Sequence, residues 1–127
     1  NCPLPEGRRP LVVISHGRGG LFASHHDTAA ALADAGFIVA AIDHSGDNAR
    51  DLRRTDSVSV MVERPAAIMR LIDDLTGASP LAAHIDPERI GFFGFSRGGY
   101  TGLVLIGATP DWAKPGCDQD AGFPVGV

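Results

Sequence analysis

Three short apolar runs, at residues 11–14, 37–42 and 90–93, constrain this chain more than any other feature of it. Each is rich in β-branched or aromatic side chains and ends in a turn that carries glycine. None alternates polar with apolar residues, as a strand with one wet face would. Uniform runs suit strands covered on both faces, as in a parallel sheet. The sequence between the runs has helical character. Ser24 is a helix-capping residue with Asp27 three positions on as its capping-box partner, alanine-rich sequence runs to Ala35, and Gly36 stands where a left-handed cap belongs. A second helix is expected from Pro65, a good first helical residue. From there Ile68, Leu71, Ile72 and Leu75 recur at i, i+3, i+4 and i+7, and Gly77 ends the pattern. A third helix is expected over 98–108, before Pro110.

The order is therefore βαβαβα. Such alternation predicts an α/β fold: a parallel sheet between two helical layers, an αβα sandwich with right-handed crossovers. The 127 residues suffice for one domain. Residues 1–10 form a Pro-rich lead-in, 49–60 a surface loop, 80–88 a connector and 110–127 an irregular tail. In open sheets of this kind ligands bind beyond the carboxyl ends of the strands. All three glycine-bearing turns, 17–20, 43–48 and 94–98, fall at that edge.

Charge and length exclude some partners. The net charge is −4 and no Lys/Arg cluster lies on a helix, so no nucleic-acid partner is expected. The longest uncharged run, 98–109, is too short for a membrane span. Cys2 and Cys117 leave two readings open, a disulfide in an exported protein or two free thiols in a cytosolic one. Neither has a Cys or His at ligand spacing. His25 and His26 are adjacent at a helix start and point about 100° apart, so no metal site is expected.

The chemistry concentrates in two turns. Gly94-Phe95-Ser96-Arg97-Gly98-Gly99 places a serine between glycines where a strand becomes a helix. A serine on so sharp a turn exposes its hydroxyl, and the glycines remove the Cβ atoms that would strike the strand and helix. The helix N-terminus then offers N–H groups to a developing oxyanion. Ser96 is the candidate nucleophile. Ser15-His16-Gly17-Arg18-Gly19-Gly20 follows the first strand and suits an oxyanion loop, with the backbone N–H groups of Arg18 and Arg97 as the two donors. Gly17, Gly19 and Gly20 allow close backbone approach, and His16, directly after the strand, reads as a structural residue that orients this loop. His44, at the end of the second strand, reads as a pocket-lining or turn residue; on its position at the sheet edge it is also a substitute for a catalytic base.

A dinucleotide-binding reading finds Gly17-Arg18-Gly19 after the first strand and Asp43 after the second, but Phe22 occupies the place of the third glycine. It also leaves Ser96 unexplained.

These motifs, with Asp43-His44-Ser45-Gly46-Asp47-Asn48 between them, resemble the α/β-hydrolase superfamily. They are most similar to its dienelactone hydrolases related to platelet-activating factor acetylhydrolase. The resemblance covers residues about 10–112, the N-terminal half of that fold. It implies an ester hydrolase without a cofactor, acting on a small-molecule ester through a Ser-Asp-His triad. Ser96 would be the nucleophile, and the Arg18 and Arg97 amides the oxyanion hole. In the family's chain order both triad partners follow the serine. Here His84 is the last histidine, and Asp111, Asp118 and Asp120 follow no apolar strand. The acid and base are expected outside this chain. The alternative function is a hydrolase remnant that serves as a binding module.

Two further features point to an incomplete fold. The third helix (Tyr100, Leu103, Val104, Leu105, Ile106, Ala108) is apolar on more than one face, the mark of a buried helix. Three strands that read as fully buried would leave two open sheet edges. A missing C-terminal half, or failing that an oligomer partner, is expected to cover them.

Overall fold

The computed structural model describes residues 3–4, 6–110, 117–118 and 123–124. The first apolar run forms β1 (Arg9–Ser15), whose residues from Leu11 onward are buried. A 3-10 turn over Phe22–His25 leads into α1 (His26–Asp34), and β2 (Ile38–Ala41) follows. Gly36, between them, holds φ +99, the left-handed conformation that glycine adopts without strain. Then come α2 (Val58–Thr76), β3 (Ile85–Gly94) and α3 (Arg97–Leu105). Beyond residue 110, Cys117–Asp118 pairs antiparallel with Phe123–Pro124. The rest of the expected tail and the pairing of Cys2 with Cys117 lie outside the described residues.

The three long strands are parallel, in the order β2-β1-β3. Leu11 stands between Ile38 and Ile90, Val13 between Ala40 and Phe92, and Ser15 beside Gly94. The chain moves from β1 to one neighbour and then crosses to the other. Right-handed crossovers therefore place α1 on one face and α2 with α3 on the opposite face. The reversal makes the carboxyl end of β1 a topological switch point, where open α/β sheets bind ligands. The core on the α2 face is Leu11, Val13, Ile68, Leu75 and Ile85, with Leu71, Ile72, Phe92 and Leu105 packed around it. Ile68 is fully buried, so Ile68→Ala would cost about 2–5 kcal/mol. Gly102 lets α3 lie against β3, because a Cβ there would meet the Phe92 ring at 2.7 Å.

Several boundaries differ from those read in the sequence. Ser24 does not cap α1: its Oγ accepts the Leu21 N–H at 2.9 Å inside the 3-10 turn, and the helix begins at His26. Helix α2 begins seven residues before Pro65, where Ser57 accepts the Ser59 N–H at 3.2 Å. The buried stripe Val60, Met61, Arg64, Pro65, Ile68 keeps the helical period, but Arg64 reads as polar and hides it. Pro65 is thus interior, leaving one carbonyl of the preceding turn without its usual donor. Strand β3 begins at Ile85, within the expected connector. Its register against β1 slips between Arg9 and Leu11, and Asp86, Pro87, Glu88 and Arg89 occupy the slip, where Pro87 needs no ladder hydrogen bond.

Beside the outer edge of β3 the apolar Ile90, Phe93 and Phe95 are exposed, as are Leu103 on α3 and Ile106 just after it, the last to 82 %. Among the described residues no helix is long and apolar enough to cross a membrane.

Candidate active site

Ser96 sits where β3 becomes α3, with φ 53 and ψ −115, the only non-glycine positive φ among the described residues. That backbone is strained, by about 1–3 kcal/mol. The turn is possible only because Gly94 and Gly98 lack side chains. A Cβ on Gly94 would collide with the Gly98 carbonyl, and one on Gly98 with the Ser15 carbonyl. Closing the glycines this tightly leaves Ser96 exposed at the N-terminus of α3, and among the described residues nothing hydrogen-bonds its hydroxyl.

The loop after β1 comes up against this serine. A Cβ on Gly17 would lie 3.4 Å from the Ser96 Cβ and 3.2 Å from the Phe95 ring. Residues 17–20 form a tight turn, closed by the Gly20 N–H on the Gly17 carbonyl at 3.1 Å, with Gly19 at φ +62. A Cβ on Gly20 would crowd the His16 ring at 3.1 Å. The Arg18 N–H donates to no described residue, while Arg97 opens α3 and directs its amide out of the helix N-terminus. Ser96, Gly17, Arg18 and Arg97 are thus brought together at the switch point.

His16 is buried beneath the loop with both ring nitrogens engaged. Its Nδ1 lies 2.7 Å from the Gly17 carbonyl oxygen, which can only accept, so Nδ1 carries the proton. Its Nε2 accepts the His44 N–H at 3.1 Å. Burial, with the charge of Arg64 adding to it, pushes the His16 pKa below the ordinary imidazole value. A neutral ring with its proton and lone pair both committed to backbone groups cannot act as a general base. His44 is buried as well, edge-on to His16 at 4.9 Å. Its Nε2 bonds Ser15 Oγ at 2.7 Å, and its Nδ1 has no partner among the described residues. Burial first, and Arg64 second, lower its pKa to about 3. The ring engages Ser15 and not Ser96.

Two residues that the sequence did not single out organise all of this. Asp47 is 0 % exposed. Its Oδ1 accepts the Gly19 N–H at 3.0 Å and the Thr55 hydroxyl, and its Oδ2 accepts Arg64 Nη2 and Arg97 Nη1, each at 2.8 Å. Burial alone would raise the Asp47 pKa, but the hydrogen bonds from Thr55, Arg97 and Gly19, together with the Arg64 charge, outweigh it. The carboxyl stays below the usual range. Arg64, also buried, reaches from α2 to the carbonyls of His16 at 2.7 Å and Gly17 at 3.1 Å. The signal for Arg64 was its place four residues before Ile68 on the apolar stripe; for Asp47 the only signal was the sheet edge.

Both arginine side chains are paired with carboxylates. Arg97 turns inward to Asp47 and the Thr55 carbonyl, and Arg18 is held by exposed Asp56 at 2.6 Å. Asp43, the ribose-binding candidate of the dinucleotide reading, instead accepts the Phe22 N–H at 2.6 Å.

A parallel sheet with a strained serine at its switch point and a backbone-lined loop facing that serine define an α/β-hydrolase fold. Residues 3–114 match the dienelactone hydrolase family, and the chain belongs to it. It is 34% identical over 118 residues to NocK of Nocardia uniformis subsp. tsuyamanensis, by name an esterase, over 86% of this chain and 31% of that protein. The ferulic acid esterase from Streptomyces cinnamoneus superposes with a TM-score of 0.69 at 28% identity, over 80% of this chain and 34% of that one. The chain thus spans about a third of the length of these relatives.

Proposed function

We propose that this chain carries the nucleophile and the oxyanion hole of a serine esterase. The Ser96 hydroxyl attacks the carbonyl carbon of a small-molecule carboxylic ester, and the carbonyl oxygen takes the negative charge between the Arg18 and Arg97 amides. Collapse of this tetrahedral intermediate expels the alcohol and leaves an acyl group on Ser96. Water then adds to the acyl-enzyme, and the carboxylic acid leaves as the serine hydroxyl is restored. The observation that carries this reading is Ser96 itself, strained at φ 53, exposed, and facing the turn at Gly17.

The imidazole that takes the Ser96 proton, and the carboxylate that orients it, come from a C-terminal half of the fold outside these 127 residues. Three features support that origin. His16 and His44 are engaged elsewhere, the relatives are about three times as long, and the apolar surface from Ile90 to Ile106 is exposed.

Intact-mass spectrometry after incubation with a fluorophosphonate tests the reading, with Ser96→Ala as control. One Ser96-dependent adduct on the full-length protein is the expected result. A full-length protein that takes no adduct would refute it and leave a binding module on a hydrolase scaffold.

A further inference from the structure

The reading of Ser96 as nucleophile requires the Arg18 amide to point at the reacting carbonyl, and the structure shows what makes it do so. A trans peptide is planar, and its C=O and N–H point in opposite directions. The orientation of the Arg18 N–H is therefore fixed by whatever holds the Gly17 carbonyl. Three donors hold it: His16 Nδ1 at 2.7 Å, Arg64 Nη2 at 3.1 Å and the Gly20 N–H at 3.1 Å. The two side chains are buried, and both are fixed in turn. His16 is pinned by the His44 N–H at 3.1 Å. Arg64 is pinned by Asp47, at 3.0 Å from Nε and 2.8 Å from Nη2, and by the His16 carbonyl. The carbonyl is thereby drawn into the interior. The N–H at the opposite end of the same peptide is therefore turned away from that interior, and Gly17 itself abuts Ser96.

We propose that His16 and Arg64 are the positioning residues of the oxyanion hole: by holding the Gly17 carbonyl in the interior they turn the Arg18 N–H, across one planar peptide, to the Ser96 side. Neither touches the substrate. Asp47 supports the same arrangement from both sides, because it binds the Gly19 amide of the loop and the Arg97 side chain at the head of α3. This inference rests on the proposed function and adds residues to it.

The test uses the full-length enzyme and a pair of substitutions at one site. His16→Asn keeps an N–H donor where Nδ1 stands. His16→Gln removes it but keeps an acceptor near Nε2 for the His44 N–H. Turning the peptide by a fraction of its plane should act on the transition state alone. His16→Gln is expected to lower kcat about ten- to a hundredfold with KM within about twofold. It should weaken a boronate adduct on Ser96 in proportion, while His16→Asn restores most of kcat. Arg64→Lys, which has one nitrogen in place of the three that reach Asp47 and both carbonyls, is expected to show the same kcat-only loss, and it decides the matter if His16→Gln does not fold. Equal kcat in His16→Gln and His16→Asn, or a loss confined to KM or to thermal stability, overturns the proposal. Ser96→Ala separates the two readings. If it stays active the esterase assignment fails; if it is inactive while His16→Gln and Arg64→Lys keep full kcat, only the positioning roles fail.

Discussion

Replacing Arg18 with proline removes one hydrogen atom that matters and little else. Arg18 occupies the second position of the turn 17–20; its φ is not positive, and Gly19 after it has φ +62. That is the pattern of a type II turn, in which proline is favoured at the second position. Arg18→Pro therefore leaves the turn in place and deletes the N–H that donates to no described residue in the resting protein. The side chain lost with it makes one exposed ion pair to Asp56, worth about 0–1 kcal/mol and screened by salt. Loss of one oxyanion donor costs about 10²–10³ in kcat, about 2.7–4 kcal/mol of transition-state stabilisation. The assay is steady-state hydrolysis of a nitrophenyl ester by the full-length enzyme. Asp56→Ala is the control, since it breaks the same ion pair and leaves the amide. The expected result is a kcat lowered at least about a hundredfold by Arg18→Pro, KM little changed, and Asp56→Ala near the parent. If Arg18→Pro is folded and its kcat falls less than about threefold, the Arg18 amide is not an oxyanion donor and the reasoning fails.

Three other outcomes follow from the same geometry. Gly98→Ala should destabilise the fold by about 3 kcal/mol or more, because its Cβ meets the Ser15 and His16 backbone, which cannot yield; urea unfolding measures it. Ser96→Gly should abolish labelling yet raise stability by about 1 kcal/mol. Relief of φ 53, about 1–3 kcal/mol, exceeds the entropic cost of a glycine, roughly 0.5–1 kcal/mol. His44, with its pKa lowered to about 3 in the fold against 6.5 unfolded, makes stability fall as pH drops from 6.5 toward 3. In that window the unfolded chain binds a proton that the fold refuses, at a slope of up to about 1.4 kcal/mol per pH unit. His16 acts in the same direction. His44→Gln should flatten the slope of the urea midpoint between pH 7 and 5, and an unchanged slope would assign it to other groups.

The parallel sheet was legible because β1 and β2 are short apolar runs with no alternation, and the turn at Ser96 because glycines on either side of a serine have a steric reason. The start of α2 was not legible. An interior proline carries the signature of a helix beginning and an arginine that of a wet surface, and only the partners of Arg64 make its burial tolerable. Ser24 misled for a related reason: its hydroxyl serves equally well in a 3-10 turn, where it accepts the Leu21 N–H. Within the site, the strained position of Ser96 and the close approach at its flanking glycines could be read directly. Those whose role is to hold others, Asp47 and Arg64, could not, because all their partners but Thr55 lie 17 to 50 positions away along the chain.

That wide separation has a consequence in time. Asp47 draws its partners from the loop after β1, from Thr55, from α2 and from the first residue of α3. None of these segments can settle its share of the carboxylate alone, because contacts at such sequence distance form only after the intervening chain has condensed. A polypeptide still emerging without α3 would lack both the strained serine and the last clamp on the loop. The geometry around Ser96 therefore forms late and all at once. A half-made chain lacks that geometry, and the finished fold brings Ser96 and the turn at Gly17 into register in the same folding step.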